Sequence, residues 1–440
     1  MIAAIEEISP VEGAALDLRT VLPLTPGQRR FLDRGNPNPN HFNIAATLKS
    51  QDHIDSAVLE QACRRLVETH PSFRTAVDDA VNGQRILSAD DWHGFSTEVV
   101  VDHAEMSELC GQLQERLSIA SGEVFQMTLI DVSSTGEQRV FVTMHHLVSD
   151  RISLLLFLDA LSDEYNQIRS GTHSPVRPRA GTSDWLSHLV DDALSPVGER
   201  TAKDLAGLAW HDAPGCIKPA SRQPHENTNA DGAALKRKLV AESLTLPDNR
   251  SAAEVVLLGL GTALMELHQD DAAAIEVINN GRRLLPDSDV ARQVGFFLTY
   301  VPVLISAEMA ASGSGFDAVR EQLENNWRLD ALATHGSEST ISAVSAVPQI
   351  DVLFNFMGRE ISAPAAQQFQ PTGEARGNDV ASDGYRAHAI AVSAEVLEDN
   401  SIDLRIVYSE ALHVGDYPTR LADLLVEHVE ALCSTPSGLP

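Results

Sequence analysis

The sequence predicts an α/β protein built of two similar lobes. Its 440 residues exceed the size at which a single hydrophobic core usually stops growing, so two cores are expected. Strand-like and helix-like segments occur in both halves of the chain, although no clear internal sequence repeat accompanies them. The segment 169–183 is rich in Gly, Pro and Ser, which favours a boundary there. We therefore expect a leader or linker at 1–20, an N-terminal lobe at 21–175 and a C-terminal lobe at 176–440.

The N-terminal lobe begins with a helix, a strand and a longer helix. Thr25 as N-cap and Pro26 at the first helical position predict a short helix. Alternation of apolar and polar residues from Phe42 onward predicts a strand. The segment 54–71 has the apolar spacing of an amphipathic helix, and Pro71 ends it.

A hairpin and a helix follow in the same lobe. The segments 124–132 and 139–147 flank a turn of small and polar residues, which predicts a β-hairpin. Apolar residues then recur at helical spacing over 152–168. Two adjacent histidines therefore fall at a strand end, and Asp150 falls where the chain turns into the helix. Functional groups often occupy such strand ends.

The second half repeats this mixture of elements. Ser251 and Glu254 form a predicted capping box at the start of a helix over 251–269. The polar stretch 362–384 reads as a long loop, and loops of that length inside a domain are usually functional or mobile. The other expected elements are strands within 273–283, 294–305 and 349–359, a hairpin within 388–409 that turns at 398–400, and a closing helix over 417–432.

Composition limits the partners of the protein. The formal net charge is −29, so a nucleic-acid partner is not expected because phosphates would be repelled. Sparse basic residues mean that any docking surface for an acidic partner is local. No apolar run is long enough to span a bilayer, so no membrane association is expected.

The four cysteines indicate a reducing compartment. They lie far apart in the chain, and neither a CxxC pair nor a Cys/His ligand spacing occurs, so structural zinc is not expected. The N-terminus is acidic and lacks the basic start of a signal peptide. A cytoplasmic protein with buried thiols is therefore expected; the cysteines are Cys63, Cys110, Cys216 and Cys433.

The stretch "HHLVSD" is the main candidate for chemistry. His145 and His146 are adjacent, and neighbouring side chains on an extended strand point to opposite faces. One imidazole can therefore face a cavity while the other faces the core. Histidine acts as a general acid or base near neutral pH. Asp150 at the following turn could accept a hydrogen bond and fix the loop, or pair with a cation.

Two other chemistries fit this stretch poorly. A Ser-His-Asp hydrolase of the α/β type would carry a GxSxG elbow, and none is present. A metal site needs converging side chains, which adjacent strand histidines do not supply. No metal is therefore expected.

Several motifs in order resemble the condensation-domain superfamily of nonribosomal peptide synthetases. The segment "HHLVSDR" resembles that family's HHxxxDG signature, and "LTPGQRRFL" resembles its first motif. "HPSFRTAV", "NNGRRLLPDSDVARQVGFFLTYVPVLI", "DVLFNFMGR" and "DLRIVYSEALH" resemble further elements in the family's order. The resemblance covers nearly the whole chain.

The resemblance implies a fold and a reaction. The fold would be two chloramphenicol acetyltransferase-like lobes in a V-shaped pseudo-dimer, with the active site in a tunnel at their interface. Carrier proteins would bring a donor acyl thioester and an acceptor amine on phosphopantetheine arms, and the chain itself would bind no cofactor. His146 would take the amine proton or stabilise the tetrahedral intermediate.

The resemblance also assigns supporting roles. His145 would pack or hydrogen bond behind His146. Asp150 would be structural and would pair with Arg282 of the "GR" element, tying the first lobe to the second. The loop 362–384 would be a segment that crosses between the lobes and latches the tunnel.

Some motifs resemble the epimerization branch of the family, but the acid–base positions differ. That branch uses a glutamate in an EGHGR motif, and alignment on Gly281 and Arg282 places Ile278 at the glutamate and Asn280 at the histidine. Ile278 cannot accept a proton. Glu276 shares its strand face but lies roughly 6–7 Å along the strand. The body therefore resembles an epimerase, whereas an amide- or ester-forming reaction that needs only His146 fits better.

Arg151 is a second departure, because the family signature has Gly at this position. Arginine adds bulk and a fixed positive charge. One interpretation is that Arg151 narrows a tunnel entrance or contacts an anionic group of the substrate or pantetheine. The other is that it turns outward at the helix start without a role.

Four functions stay open at this point. The first is an acyltransferase that condenses carrier-bound substrates, as a free-standing protein, although an excised domain would have the same sequence. The second is an epimerase of carrier-bound thioesters. The third is a catalytically impaired relative that recruits a partner protein to a carrier-bound peptide, and the fourth is an acyltransferase with a coenzyme A donor.

Overall fold

The computed structural model describes most of the chain. It covers residues 21–78, 82–179, 182–210, 213–215, 224–240, 244, 246, 250–284, 289–312, 314–360, 367–413 and 415–434. The expected leader or linker at 1–20 and Cys216 lie outside these residues. Among the helices described, none combines the length and apolar character needed to cross a membrane.

The chain packs into two compact units that are interleaved in sequence. Unit 1 comprises Met1–Leu189, Gly281–Phe297 and Ala363–Ala381. Unit 2 comprises Val190–Asn280, Leu298–Ser362 and Ser382–Pro440. Two stretches from the second half of the sequence therefore belong to unit 1.

Unit 1 contains a five-stranded sheet and a small three-stranded sheet. Strand order in the large sheet is β12-β2-β7-β6-β5, and in the small sheet β1-β4-β3. The elements up to the unit boundary are β1 (Leu22–Pro23), α1 (Pro26–Leu32), β2 (Asn43–Ser50), α2 (Ser56–Thr69), β3 (Thr75–Asp78), β4 (Gly83–Ile86), β5 (Phe95–Val100), α3 (His103–Gln114), β6 (Phe125–Val132), β7 (Glu137–His145), α4 (Arg151–Ser170) and α5 (Ser183–Ala193), which runs into unit 2.

Local signals in the sequence account for these elements. The capping box of Thr25 and Gln28 opens α1, with Pro26 in its first turn, as predicted. The predicted hairpin is β6 and β7, which pair antiparallel with Val132 opposite Glu137. α2 packs against α4, and the Tyr165 hydroxyl of α4 accepts a hydrogen bond of 2.9 Å from the amide at the N-cap of α2. The predicted helix over 152–168 is α4.

The core of unit 1 lies between the large sheet and helices α2 and α4. Its aromatic centre is Phe73 stacked on Phe125, with Phe157 edge-on to both. Phe369 from the second half of the sequence packs against Tyr165 in the same cluster. The late segment is therefore part of the unit 1 core.

Unit 2 is built on one six-stranded sheet of order β10-β9-β11-β13-β14-β8. Helix α7 has the predicted capping box of Ser251 and Glu254. The elements after the unit boundary are α6 (Pro196–Ala206), β8 (Gly232–Leu239), α7 (Ala252–His268), β9 (Ala272–Asn280), β10 (Leu298–Ser306), α8 (Ala307–Ala311), α9 (Gly315–Asn325), α10 (Leu329–His335), α11 (Glu338–Val344), β11 (Val352–Arg359), β12 (Phe369–Pro371, in unit 1), β13 (Ile390–Val396), β14 (Ile402–Ser409) and α12 (Tyr417–Ser434).

The two faces of the unit 2 sheet differ. Helix α7 approaches one face so closely that a Cβ at Gly261 would lie 2.5 Å from the Ile305 side chain. The buried odd-numbered residues of β9, Ile275 and Val277, lie on that face, because successive strand residues alternate sides. Glu276 and the other even-numbered residues of β9 therefore face the opposite side.

Two expectations about chain organisation need correction. The boundary expected at 175/176 falls inside unit 1, which continues to Leu189. The stretch 362–384 is not entirely loop, because β12 lies within it and pairs antiparallel with β2. A strand of three residues is too short for an alternating pattern to reveal. Part of the stretch, 361–366, lies outside the described residues.

Truncating Phe369 tests whether the late segment is part of unit 1. We expect Phe369→Ala to destabilise the protein by about 3–5 kcal/mol, because the side chain is fully buried and its loss leaves a cavity. Urea unfolding followed by tryptophan fluorescence measures the change. The control is Val99→Ala on β5 of the same sheet, where the side chain is 72% exposed and a change within about 0.5 kcal/mol is expected. Equal losses in the two variants would contradict this packing.

Candidate functional site

The HHxxxD stretch forms a tight connection between β7 and α4. His145 ends β7, a 3-10 turn covers His146–Val148, and Asp150 caps the start of α4. The Ser149 hydroxyl donates a hydrogen bond of 2.9 Å to the His145 carbonyl and closes the turn. The histidines thus lie at a strand end, as the sequence predicts.

The His145 side chain is buried and hydrogen bonded at both ring nitrogens. Its side chain is fully buried in unit 1. Nε2 donates to the Pro39 carbonyl at 2.8 Å, and Nδ1 accepts from the Leu147 amide at 3.1 Å. Burial lowers the pKa of His145 to about 3, so the ring is neutral at physiological pH. Both ring nitrogens have partners, which leaves none for a substrate.

His146 has a different hydrogen-bond arrangement. It is half-buried, and its Nδ1 lies 2.9 Å from the Ser149 carbonyl. A carbonyl oxygen only accepts hydrogen bonds, so Nδ1 carries the proton and Nε2 keeps its lone pair. Burial lowers the pKa of His146, against the opposing effects of backbone hydrogen bonds and the charges of Asp150 and Asp379. The neutral ring is therefore held in the tautomer of a general base at Nε2.

Two phenylalanines fix the plane of this ring. Phe42 stacks on His146 with centroids 4.8 Å apart and an interplanar angle of 11°, and Phe296 meets it edge-on at 5.5 Å. Gly27 gives Phe296 its room, because a Cβ there would lie 2.3 Å from the Phe296 ring. Neither ring is identifiable from the sequence alone. In the sequence, Phe42 and Phe296 are recognisable only as apolar residues next to predicted strands.

Asp150 and Arg282 form a buried ion pair, with side chains 2% and 3% exposed. Nη1 of Arg282 contacts Oδ2 of Asp150, and Nη2 donates to the Ser153 hydroxyl at 2.9 Å and the Gln293 carbonyl at 3.0 Å. Oδ1 of Asp150 accepts from the Ser153 amide at 2.8 Å. One carboxylate therefore both caps α4 and neutralises a buried guanidinium.

The expected ion pair is present, but it does not tie unit 1 to unit 2. Arg282 lies in the stretch Gly281–Phe297, which belongs to unit 1 like Asp150. The physical reason is that this stretch packs on unit 1 side chains. The Trp185 indole donates to the Gly281 carbonyl at 3.1 Å, and the guanidinium lies 4.4 Å from the centroid of the Phe297 ring.

The positions aligned with the epimerase acid and base lie in unit 2. Ile278 and Asn280 are half-buried on β9, opposite Tyr300 and Leu298 of β10. Glu276 lies on the same strand face, and its carboxylate is 2.6 Å from Nε2 of His388. Both side chains of this pair are buried. The contact with His388 carries no sequence signal, because 112 residues separate the two groups.

Arg151 is the first residue of α4 and is half-buried. Asp150 before it is the N-cap and has extended backbone angles, so the helix begins directly after the signature aspartate. A positive charge at a helix N-terminus is unfavourable by itself. Whether Arg151 modulates substrate access stays a hypothesis.

The chain belongs to the condensation-domain family, since the condensation-domain profile matches residues 18–439. Chondramide synthase cmdD of Chondromyces crocatus is 26% identical over 430 residues. One polypeptide of the linear gramicidin synthase of Brevibacillus parabrevis is 26% identical over 462 residues. The matches cover 93% and 95% of this chain but only 11% and 6% of those synthetases.

Solved structures share the fold, which confirms the expected chloramphenicol acetyltransferase-like α/β class. The epimerization domain TycB3(E) of tyrocidine synthetase B has a TM-score of 0.79 at 19% identity, covering 94% of this chain and 97% of that one. The X-domain from teicoplanin biosynthesis has a TM-score of 0.72 at 18% identity, with 99% and 98% covered. The starter condensation domain of rhizomide synthetase RzmA scores 0.70 at 13% identity, with 95% and 97% covered.

Removing the Arg282 guanidinium is expected to destabilise unit 1 strongly. Arg282→Met leaves Asp150 buried without its counter-charge, and such losses are typically about 3–5 kcal/mol. The matched control is Arg237→Met, which breaks a more exposed ion pair with Asp423 and should cost about 1 kcal/mol or less. Urea unfolding compares the two variants. Similar losses would show that burial of the Asp150 pair does not matter.

The neutral state of His145 makes stability pH-dependent. The unfolded chain binds a proton at His145 below about pH 6.5, whereas the folded chain resists it down to about pH 3. Stability is therefore complete above pH 6.5 and falls as pH decreases through that window. Between pH 6.5 and 5.0 we expect His145 to contribute a loss of about 2 kcal/mol.

The measurement compares urea unfolding of the native protein and a His145→Gln variant at pH 7 and pH 5. Other histidines titrate in both proteins, so the difference between the two pH slopes isolates His145. The variant should lose less stability on acidification. Identical slopes would mean that His145 binds a proton as readily in the folded protein as in the unfolded chain, which would contradict the prediction.

Proposed function

We propose that this chain joins a carrier-bound acyl or peptidyl thioester to an amine or hydroxyl acceptor. The observation that carries the proposal is the tautomer of His146. Its Nδ1–H is donated to the Ser149 carbonyl, which leaves Nε2 as a lone-pair base on a half-buried ring. Membership in the condensation-domain family supports the same reaction class.

The proposed chemistry needs one proton carrier. As the acceptor nitrogen or oxygen attacks the thioester carbonyl, its proton passes to Nε2 of His146. The tetrahedral intermediate collapses with loss of the thiolate, and the imidazolium returns the proton to sulfur. Atoms and charge balance without a metal or redox cofactor, and general base catalysis of this kind contributes about 10²–10⁴-fold.

The partners in this proposal are carrier proteins. They would present the donor thioester, and in amide formation the acceptor amine, on phosphopantetheine arms. The arm is part of the substrate and not a cofactor of this chain. The strongly negative net charge of the chain means that carrier docking depends on local basic residues.

The epimerase alternative has less support from the site. Ile278 occupies the position aligned with the catalytic glutamate and has no ionisable group. The neighbouring carboxylate of Glu276 is buried against His388. No described feature favours α-proton transfer over condensation, so epimerization enters only as an outcome of the test.

Reconstitution with loaded carrier proteins, read by mass spectrometry of the thioesters, tests the proposal. New amide or ester product should form and should fall by about 10²-fold or more in His146→Ala. His53→Ala, at an exposed histidine of the same unit, is the matched control and should retain activity.

Three other outcomes would contradict condensation. Solvent deuterium at the α-carbon without a new bond would indicate an epimerase. Tight carrier binding without turnover would indicate a recruiting domain. Product formed from an acyl-coenzyme A donor, but not from a loaded carrier, would indicate a coenzyme A-dependent acyltransferase.

A further inference from the structure

The segment 367–381, which we call the late strap, runs along strand β2 of unit 1 and contributes the edge strand β12 beside it. At one end β12 pairs with residues Leu48 to Ser50. At the other end the Asn43 amide donates to the Asp379 carbonyl at 2.7 Å, and the Ala381 amide donates to the His41 carbonyl at 2.9 Å. The strap backbone at Asp379 is therefore fixed against β2.

These two backbone hydrogen bonds lie on either side of Phe42, the residue whose ring stacks on His146. Phe42 lies between His41 and Asn43, stacks on His146 and accepts a hydrogen bond of 2.8 Å from the His146 amide through its carbonyl. The strap thus holds Asp379 next to the segment 41–43, whose Phe42 ring stacks on His146. In agreement with this placement, the Asp379 charge raises the pKa of His146 and opposes the effect of burial.

The Asp379 carboxylate is incompletely satisfied. Oδ2 accepts from Nη2 of Arg376 at 2.9 Å. Oδ1 is buried and, within the described part of the chain, has no hydrogen-bond partner. A buried oxygen without a partner typically costs about 1–3 kcal/mol, so such an atom in a native site calls for an explanation.

Other charged groups near His146 are already neutralised. Asp150 is paired with Arg282. His145 is neutral because burial lowers its pKa to about 3. Of the two carboxylates whose charges raise the pKa of His146, Asp379 is therefore the less fully neutralised: it is 34% exposed, and its ion-pair partner Arg376 is 35% exposed.

We propose that Asp379 is a positioning residue that stabilises the imidazolium form of His146 during proton transfer. The inference rests on the proposed general-base role of His146. A carboxylate that the strap holds in place is stabilised most when positive charge develops nearby, which happens when His146 takes the acceptor proton. This developing charge would supply the interaction that Oδ1 lacks in the resting state.

The first experiment measures the His146 pKa directly, by NMR titration of the full-length protein with labelled histidine. The His146 signal is assigned by its loss in His146→Gln. In Asp379→Asn the His146 pKa should fall by about 0.5–1 unit, because a stabilising negative charge is removed. In Arg376→Met it should rise, because Asp379 loses its neutralising partner. A merely structural role predicts no such opposite shifts.

The matched control is Glu374→Gln, which removes a carboxylate from the same strap. Glu374 is paired with Arg139 and does not contribute to the His146 environment. The His146 pKa should stay unchanged in this variant. An equal shift in Glu374→Gln would attribute the effect to net charge or to loosening of the strap, and would overturn the proposal.

The second experiment is the pH–rate profile in the reconstituted carrier assay. Plateau turnover of Asp379→Asn should fall about three- to tenfold, the rate equivalent of a 0.5–1 unit shift, with partial recovery in Asp379→Glu. An unchanged or raised His146 pKa in Asp379→Asn overturns the proposal. Should that variant not fold, the direction of the Arg376→Met shift decides. Expected NMR shifts without any product in the native protein would instead reject condensation and leave the electrostatic coupling intact.

Discussion

The buried ion pair between Asp150 and Arg282 is the interaction on which the candidate site depends. Two charges removed from water are costly unless hydrogen bonds compensate them, and here both groups make hydrogen bonds besides their mutual contact. The pair fixes the start of α4, and the start of α4 fixes the turn that carries His146. Replacing either partner would disturb the HHxxxD turn without changing the imidazole itself. In this chain the signature aspartate is engaged in the helix cap and the ion pair.

The two adjacent histidines show how hydrogen bonding separates roles that sequence leaves equal. Both ring nitrogens of His145 form hydrogen bonds within unit 1, so this side chain stabilises the turn. His146 uses one nitrogen, and that single bond selects the tautomer of the other. The hydrogen bonds thus leave His146, and not His145, with a ring nitrogen available to act as a base. Aromatic contacts from Phe42 and Phe296 restrict the ring further.

Elements whose signal is local were predictable from the sequence. Caps predicted α1 and α7, apolar spacing predicted α4, and two strand-like segments around a turn predicted the β6–β7 hairpin, because each signal lies within a short stretch of sequence. The family resemblance supplied His146 and the Asp150–Arg282 pair. It could not place the stretch Gly281–Phe297 in unit 1, since that depends on contacts such as Trp185 with Gly281 across 96 residues. Phe42, Asp379 and His388 were missed for the same reason: no periodic pattern marks a contact between distant segments.

The interleaving of the two units has a consequence for biosynthesis of the chain. The HHxxxD turn is translated early, but Arg282 emerges 132 residues after Asp150 and the late strap later still. Unit 1 cannot finish folding on the ribosome before most of unit 2 has been made. Until then the Asp150 carboxylate lacks its counter-charge and the edge of β2 lacks its last strand. Such long-range closure is slow and leaves an edge unpaired, so unit 1 is open to mispairing during synthesis.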